Sequence, residues 1–196
     1  DFPSRSFSDT IAYWDFNSAI PANWTVYDKT GNNFNWIWSD TGPTGHYTGS
    51  PNWDDPHPAI ASPTYSNGFL MFPADYYNTD TTNGQPVTNS VNHNSYIESN
   101  SFDCSSSSGV VVYIHQFFRT CYSSGQMVLQ VSNDNGANWT DFDLTGNTMI
   151  GDLNAPINRT EEKLINISSV AANQANVKIR FLFSGFSHYF WMIDDV

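Results

Sequence analysis

The chain has 196 residues, enough for one β domain with a substantial core, and carries 19 acidic against 7 basic residues for a formal net charge of -12. That excess repels phosphate backbones and anionic headgroups, so nucleic acid is not expected as a partner, and no run of about 18 apolar residues is present to insert into a membrane as a helix. Phe, Trp and Tyr make up 16% of the residues, which suits pleated, half-buried surfaces and predicts an all-β chain.

Period-2 alternation organises the chain. TIAYWDF (10–16) sets Ala12, Trp14 and Phe16 opposite Ile11, Tyr13 and Asp15 and reads as a first strand, followed by NWTVYD (23–28). From Ser39 to Thr64 the sequence is crowded with Pro and Gly, which predicts a long loop rather than a sheet, and loops of that length tend to be functional or locally pinned. GFLMF (68–72) and NSYIES (94–99) are the next strands, and GVVVYIHQFFR (109–119), apolar on both faces, reads as a central one. QMVLQVS (126–132) groups Met127, Leu129 and Val131. NWTDFDL (138–144) and EKLINI (162–167) follow, and only SSVAANQA (168–175) looks like a short turn of helix. In VKIRFLF (177–183) Val177, Ile179, Phe181 and Phe183 share one face while Lys178 and Arg180 share the other, as a sheet with one wet side requires. Many short strands separated by Gly, Pro, Asn and Asp clusters predict a two-sheet antiparallel sandwich forming a single module over residues 1–196.

SNDNGANW (132–139) is the sharpest local motif. Asn135-Gly136 supplies the positive-φ pair of a tight hairpin, Asp134 can accept from the amides of the turn, and Trp139 can pack back over it. The pattern is similar to the Asp-box of sialidase propellers, but a single copy points to a structural hairpin. The five histidines show no tight metal spacing: His115 reads as a packed strand residue, whereas His46 and His57 share the long loop with Asp54 and Asp55. No nucleophile elbow, phosphate loop or zinc motif occurs, and no carboxylate pair is marked out for glycoside hydrolysis, so no enzyme is expected.

Two further features demand partners. Cys104 and Cys121 either pair across neighbouring strands or remain free buried thiols, since spacing alone cannot supply the required separation. In YFWMIDDV (189–196), Asp194 and Asp195 sit beside Trp191, Met192, Ile193 and Val196, where an unpaired charge is costly. Either an oxygen-coordinated cation such as calcium neutralises them, or they lie at a strand end with one solvated and one capping backbone amides.

Taken in order, DFNSAIPANWTVYD (15–28), NGFLMFPADYYN (67–78), SYIESNSFDCSSSSGVVVYIHQFFR (95–119), SNDNGANWT (132–140) and FWMIDDV (190–196) resemble the successive segments of the cleaved-adhesin and choice-of-anchor J group. These are jelly-roll modules of secreted Bacteroidetes proteins, distantly related to MAM domains. The resemblance implies a jelly roll in a secreted or cell-surface protein, an oxidising location that would permit a Cys104–Cys121 bond, and a chain that is part of a longer multidomain protein. It also implies structural calcium held by Asp28, Asp194 and Asp195; Asn17 stands where the family has an acidic residue, with Asp15 on the same strand face. The expected role is non-catalytic adhesion or binding of an extracellular glycan or protein, with Trp38, Tyr47, Trp53, Asp54 and Asp55 of the aromatic-rich stretch NFNWIWSDTGPTGHYTGSPNWDD (33–55) as ligand-binding residues. Trp36 is expected in the core. The rival role is an accessory domain of a secreted hydrolase such as a protease, packed against neighbouring domains of its own chain.

Overall fold

A computed structural model describes residues 9–48, 57–119, 126–144, 160–185 and 189–196. The described residues form ten strands, five in each of two antiparallel sheets. One contains β1 (Thr25–Asp28), β4 (His93–Glu98), β9 (Lys178–Gly185), β6 (Gln126–Ser132) and β7 (Thr140–Asp143), in that spatial order. The other contains β2 (Ile37–Ser39), β3 (Phe69–Phe72), β10 (Phe190–Asp194), β5 (Val111–Arg119) and β8 (Glu161–Asn166). Among the described residues helix is confined to single turns, α1 (Ala74–Tyr77), α2 (Ser168–Ala171) and a 3-10 turn at Tyr65–Asn67.

The inner faces of the two sheets meet in one apolar layer. Met127, Leu129 and Val131 of β6 and Ile179, Phe181 and Phe183 of β9 face Leu70 and Phe72 of β3, Ile114 and Phe118 of β5, and Trp191 and Ile193 of β10. Aromatic edges interlock across the gap: Phe181 meets Trp191 with ring centroids 5.9 Å apart, and Phe72 stacks on Phe183 at 4.3 Å. Trp36 is buried in this layer, as expected, against Trp191.

The second sheet is buried on its outer face as well. Phe69 and Met71 of β3, Phe117 of β5, and Phe190 and Met192 of β10 form a second cluster with Ile60 of the long loop, against which Tyr47 and Ala59 pack. This explains why FLMF and FWMID are continuous apolar runs while KIRFLF alternates. The first two lie between the core and a covering loop, and the third lies between the core and water. The loop is pinned by Asp75 of α1, whose Oδ2 accepts the N–H groups of Tyr47 (2.8 Å) and Thr48 (2.7 Å) and the Thr48 hydroxyl (2.9 Å). Burial pushes the Asp75 carboxyl above its ordinary value, against the pull of those hydrogen bonds.

Two expectations need correction. Residues 10–16 form no strand; the segment is held at Trp14, which exchanges backbone hydrogen bonds with Val196 (2.9 and 3.0 Å), and it bends at Phe16, where φ is +48°. Alternation there records Trp14 and Phe16 packing inward from an irregular segment rather than a ladder. The short strand β2 was not anticipated, because three residues are too few for a period to show.

Candidate functional site

The hairpin between β6 and β7 forms as read. Asn135 and Gly136 take φ of +60° and +95°, and Ser132 Oγ donates to Asp134 Oδ1 (2.7 Å) while accepting the Gly136 N–H (2.9 Å). Asp134 also accepts from the backbone and side-chain amides of Asn138 (2.9 and 2.7 Å), led by the backbone bond, which holds its carboxyl down at about 2. All of this chemistry closes on the turn itself, so the motif is structural.

The C-terminal aspartates carry a different arrangement. Asp194 is fully buried opposite His115 in the β10–β5 register, and β10 ends there because Asp195 enters the left-handed region at φ +50°. In a regular strand the next side chain would point to the opposite face; here both aspartates stay buried, Asp195 at 5% exposure. Asp194 Oδ2 accepts from the Ser62 hydroxyl and lies 3.3 Å from Thr64 Oγ1, whereas its Oδ1 has no hydrogen-bond partner. Asp195 Oδ1 accepts from the Tyr13 hydroxyl (2.6 Å) and from Thr64 Oγ1 (2.8 Å). Burial, partly offset by the Ser62 bond, lifts the Asp194 carboxyl from 3.8 to about 6. Burial and the bond to Asp195 also push the Tyr13 phenol upward.

On the far side of Asp195 stands His115, 6% exposed. Its Nδ1 lies 3.7 Å from Asp195 Oδ2 and makes no hydrogen bond, and its Nε2 lies 3.3 Å from the Tyr113 hydroxyl and 3.7 Å from Glu162 Oε1. Tyr113 is in turn hydrogen-bonded to Glu162, and burial first, then that bond, push its phenol up to about 12. This chain of groups forms the floor of a groove of about 700 Å³ between segment 9–14 and the outer end of β5, a volume within the range of small-molecule and peptide pockets.

The expected ligands distribute unevenly over this geometry. Asp194 and Asp195 share the Ser62–Thr64 cage. Asp15 joins the same neighbourhood, accepting from Asn67 Nδ2 (3.3 Å), while exposed Asn17 accepts from the Ser18 hydroxyl (2.8 Å). Asp28 instead closes its own turn, accepting from Thr30 (2.7 and 2.9 Å) and from the Phe34 N–H (3.1 Å). Among the described residues no three of His, Cys, Asp and Glu gather around a position suited to a metal ion, so the expected carboxylates do not assemble as one set. Asn67 Oδ1, like Asp194 Oδ1, is buried without a donor, and buried carboxylate and amide oxygens lacking hydrogens are what a hard cation satisfies.

Of the expected ligand-binding residues, Trp38 is half-buried against the core, with its Nε1 donating to the Phe16 carbonyl (2.8 Å) and its indole covered by Gly68. Tyr47 packs on the outer cluster near Tyr189. Trp53, Asp54 and Asp55 lie outside the described residues, as does Cys121; Cys104 is buried. Among the described residues His46 and His57 join no metal cluster: His46 Nδ1 meets the Gly84 carbonyl (2.8 Å) and His57 Nε2 meets Arg119 (2.6 Å). Tyr13, Ser62, Thr64, Tyr113 and Glu162 were not anticipated at all.

The three-dimensional arrangement has known counterparts. The K1 cleaved adhesin domain of Lys-gingipain from Porphyromonas gingivalis superposes with a TM-score of 0.55 over 95% of this chain and 96% of that one, at 15% identity. The K3 cleaved adhesin domain of the same protein gives 0.55 over 94% and 95%, also at 15% identity. The chain has the cleaved-adhesin fold. No protein-family model and no curated protein matches the sequence. The likeness to the cleaved-adhesin fold therefore rests on the arrangement of strands.

Proposed function

We propose that the chain is a non-catalytic binding module of a secreted or cell-surface protein, and that it engages an extracellular glycan or protein through the groove beside β5. One observation carries this reading. Tyr13 is 56% exposed, yet its hydroxyl is tied down on buried Asp195, so an aromatic surface is held rigidly open at the mouth of a cavity. A side chain fixed at its polar tip loses little entropy on contact, which favours recognition. The likeness to adhesin domains supports the same reading through the fold. Direct binding to arrayed glycans and extracellular-matrix proteins, compared between the parent chain and Tyr13→Ala, tests it. Ligands that bind both proteins equally would refute the role of the groove.

Calcium belongs to this proposal as a structural ion. Asp194 and Asp195 would supply the charge, and Asn67, Ser62 and Thr64 neutral oxygens, with the two unpartnered oxygens of Asp194 and Asn67 as the supporting observation. An ion bound only by the folded state raises stability by mass action. The melting temperature is accordingly expected to fall in excess chelator and to recover with added calcium. An unchanged melt, with no metal by elemental analysis, would overturn the assignment.

A further inference from the structure

The groove has a charge and shape that narrow its occupant. Its lining includes the His115–Asp195 pair, Glu162 with 64% of its side chain exposed, and Asp9. No Lys or Arg lines it among the described residues. Two tyrosines are anchored to the floor by their hydroxyls, Tyr13 on Asp195 and Tyr113 on the His115–Glu162 pair, leaving ring surface to the cavity.

His115 lines the groove more than nine-tenths buried, with its Nδ1 3.7 Å from Asp195 Oδ2 and its Nε2 3.3 Å from the Tyr113 hydroxyl. Carboxylates and the faces of tyrosine rings are acceptors of positive, hydrogen-rich planar groups. They offer nothing to a phosphate, sulfate or uronate, which the net charge of -12 also repels.

We propose that this groove captures the guanidinium of an exposed arginine on a protein partner, lying against Tyr13 and Tyr113 and donating to Glu162. The inference rests on the reading of the groove as the binding site and names the class of its ligand. The same chemistry already operates inside the chain: the guanidinium of Arg180 lies 4.4 Å from the ring centre of Tyr96 and 4.0 Å from that of Trp139, with a carboxylate oxygen of Glu98 at 3.8 Å. Arginine is preferred over lysine because its planar fork stacks on a ring and donates in two directions at once, whereas an ammonium acts as a compact point charge.

The test is a titration of the full chain, followed by amide NMR, with three capped Gly/Ser peptides that differ at one central residue: arginine, lysine or the uncharged isostere citrulline. The arginine peptide is expected to shift resonances of residues 11–13 and 111–115 and to bind about tenfold tighter than the citrulline peptide, with lysine between them. High salt should erase most of the difference. Glu162→Gln, a substitution at an exposed carboxylate, should weaken arginine binding several-fold at unchanged melting temperature, and Tyr13→Ala should weaken it further. Equal binding of the arginine and citrulline peptides, or arginine binding untouched by Glu162→Gln, would overturn the proposal. A panel of neutral oligosaccharides separates the two levels of the argument. A sugar that shifts the same resonances while the arginine peptide does not leaves the groove as the binding site and removes the arginine, whereas no response to any probe removes both.

Discussion

Replacing Asp194 by Asn removes a buried carboxyl whose ionisation the fold resists, and the consequence is a change in how stability depends on pH. The folded-state value is about 6 against an ordinary 3.8, with burial as the main cause. Below 3.8 the group is protonated in both states and costs nothing. As pH rises the unfolded chain ionises first and is favoured, and the loss is complete once pH exceeds about 6. The difference corresponds to about 3 kcal/mol. Urea unfolding in the presence of chelator should therefore show the stability of the parent chain, relative to Asp194→Asn, falling by about 3 kcal/mol across that window. The asparagine retains an oxygen for the Ser62 hydroxyl, so the hydrogen bond is not what is being removed. Added calcium should restore the parent chain above pH 6 and leave the variant unchanged, because the ion would bind the ionised form. A stability difference between the two proteins that stays constant from acid to neutral pH would refute the reasoning.

Two further substitutions probe the packing that positions the site. Gly68→Ala would drive a methyl group into the indole of Trp38 at a position with φ +111°, and should cost about 1 to 3 kcal/mol or more in thermal unfolding; a neutral result would mean that Trp38 does not hold its place under the N-terminal segment. Phe181→Ala removes a fully buried ring that bridges the sheets through Trp191 and should cost about 3 to 5 kcal/mol in urea unfolding, whereas a loss below about 1 kcal/mol would contradict the inter-sheet layer.

The cleaved-adhesin resemblance pointed to the twin aspartates, and these do occupy a built polar environment, but the set of residues around them differs from expectation. Asp28 was expected beside them and instead caps the turn that follows β1, where Thr30 and the Phe34 amide satisfy it locally. Asp194 and Asp195 are met by Ser62 and Thr64, some 130 residues away in the chain, and by Tyr13, 182 residues away. Hydroxyl residues in a loop carry no pattern that marks them as partners of a distant carboxylate, since Ser and Thr occur in turns for local reasons as well. Tyr13 was visible as one member of an alternating run, but the run proved to be an irregular segment that contributes inward rings and one outward tyrosine.

Local chemistry was legible wherever the partners were neighbours. Alternation placed Val177, Ile179, Phe181 and Phe183 on the buried face of their segment, and Ser132, Asp134 and Asn135-Gly136 determined their hairpin, because strand period and turn geometry act over two to eight residues. Which sheet a strand joins, which sheet the long loop covers, and which side chains close around the end of β10 were decided only by the tertiary structure. Those outcomes depend on burying two apolar faces at once and on supplying hydrogen-bond donors to a carboxylate removed from water. Both are conditions on groups brought together by folding, with no counterpart in the order of residues along the chain.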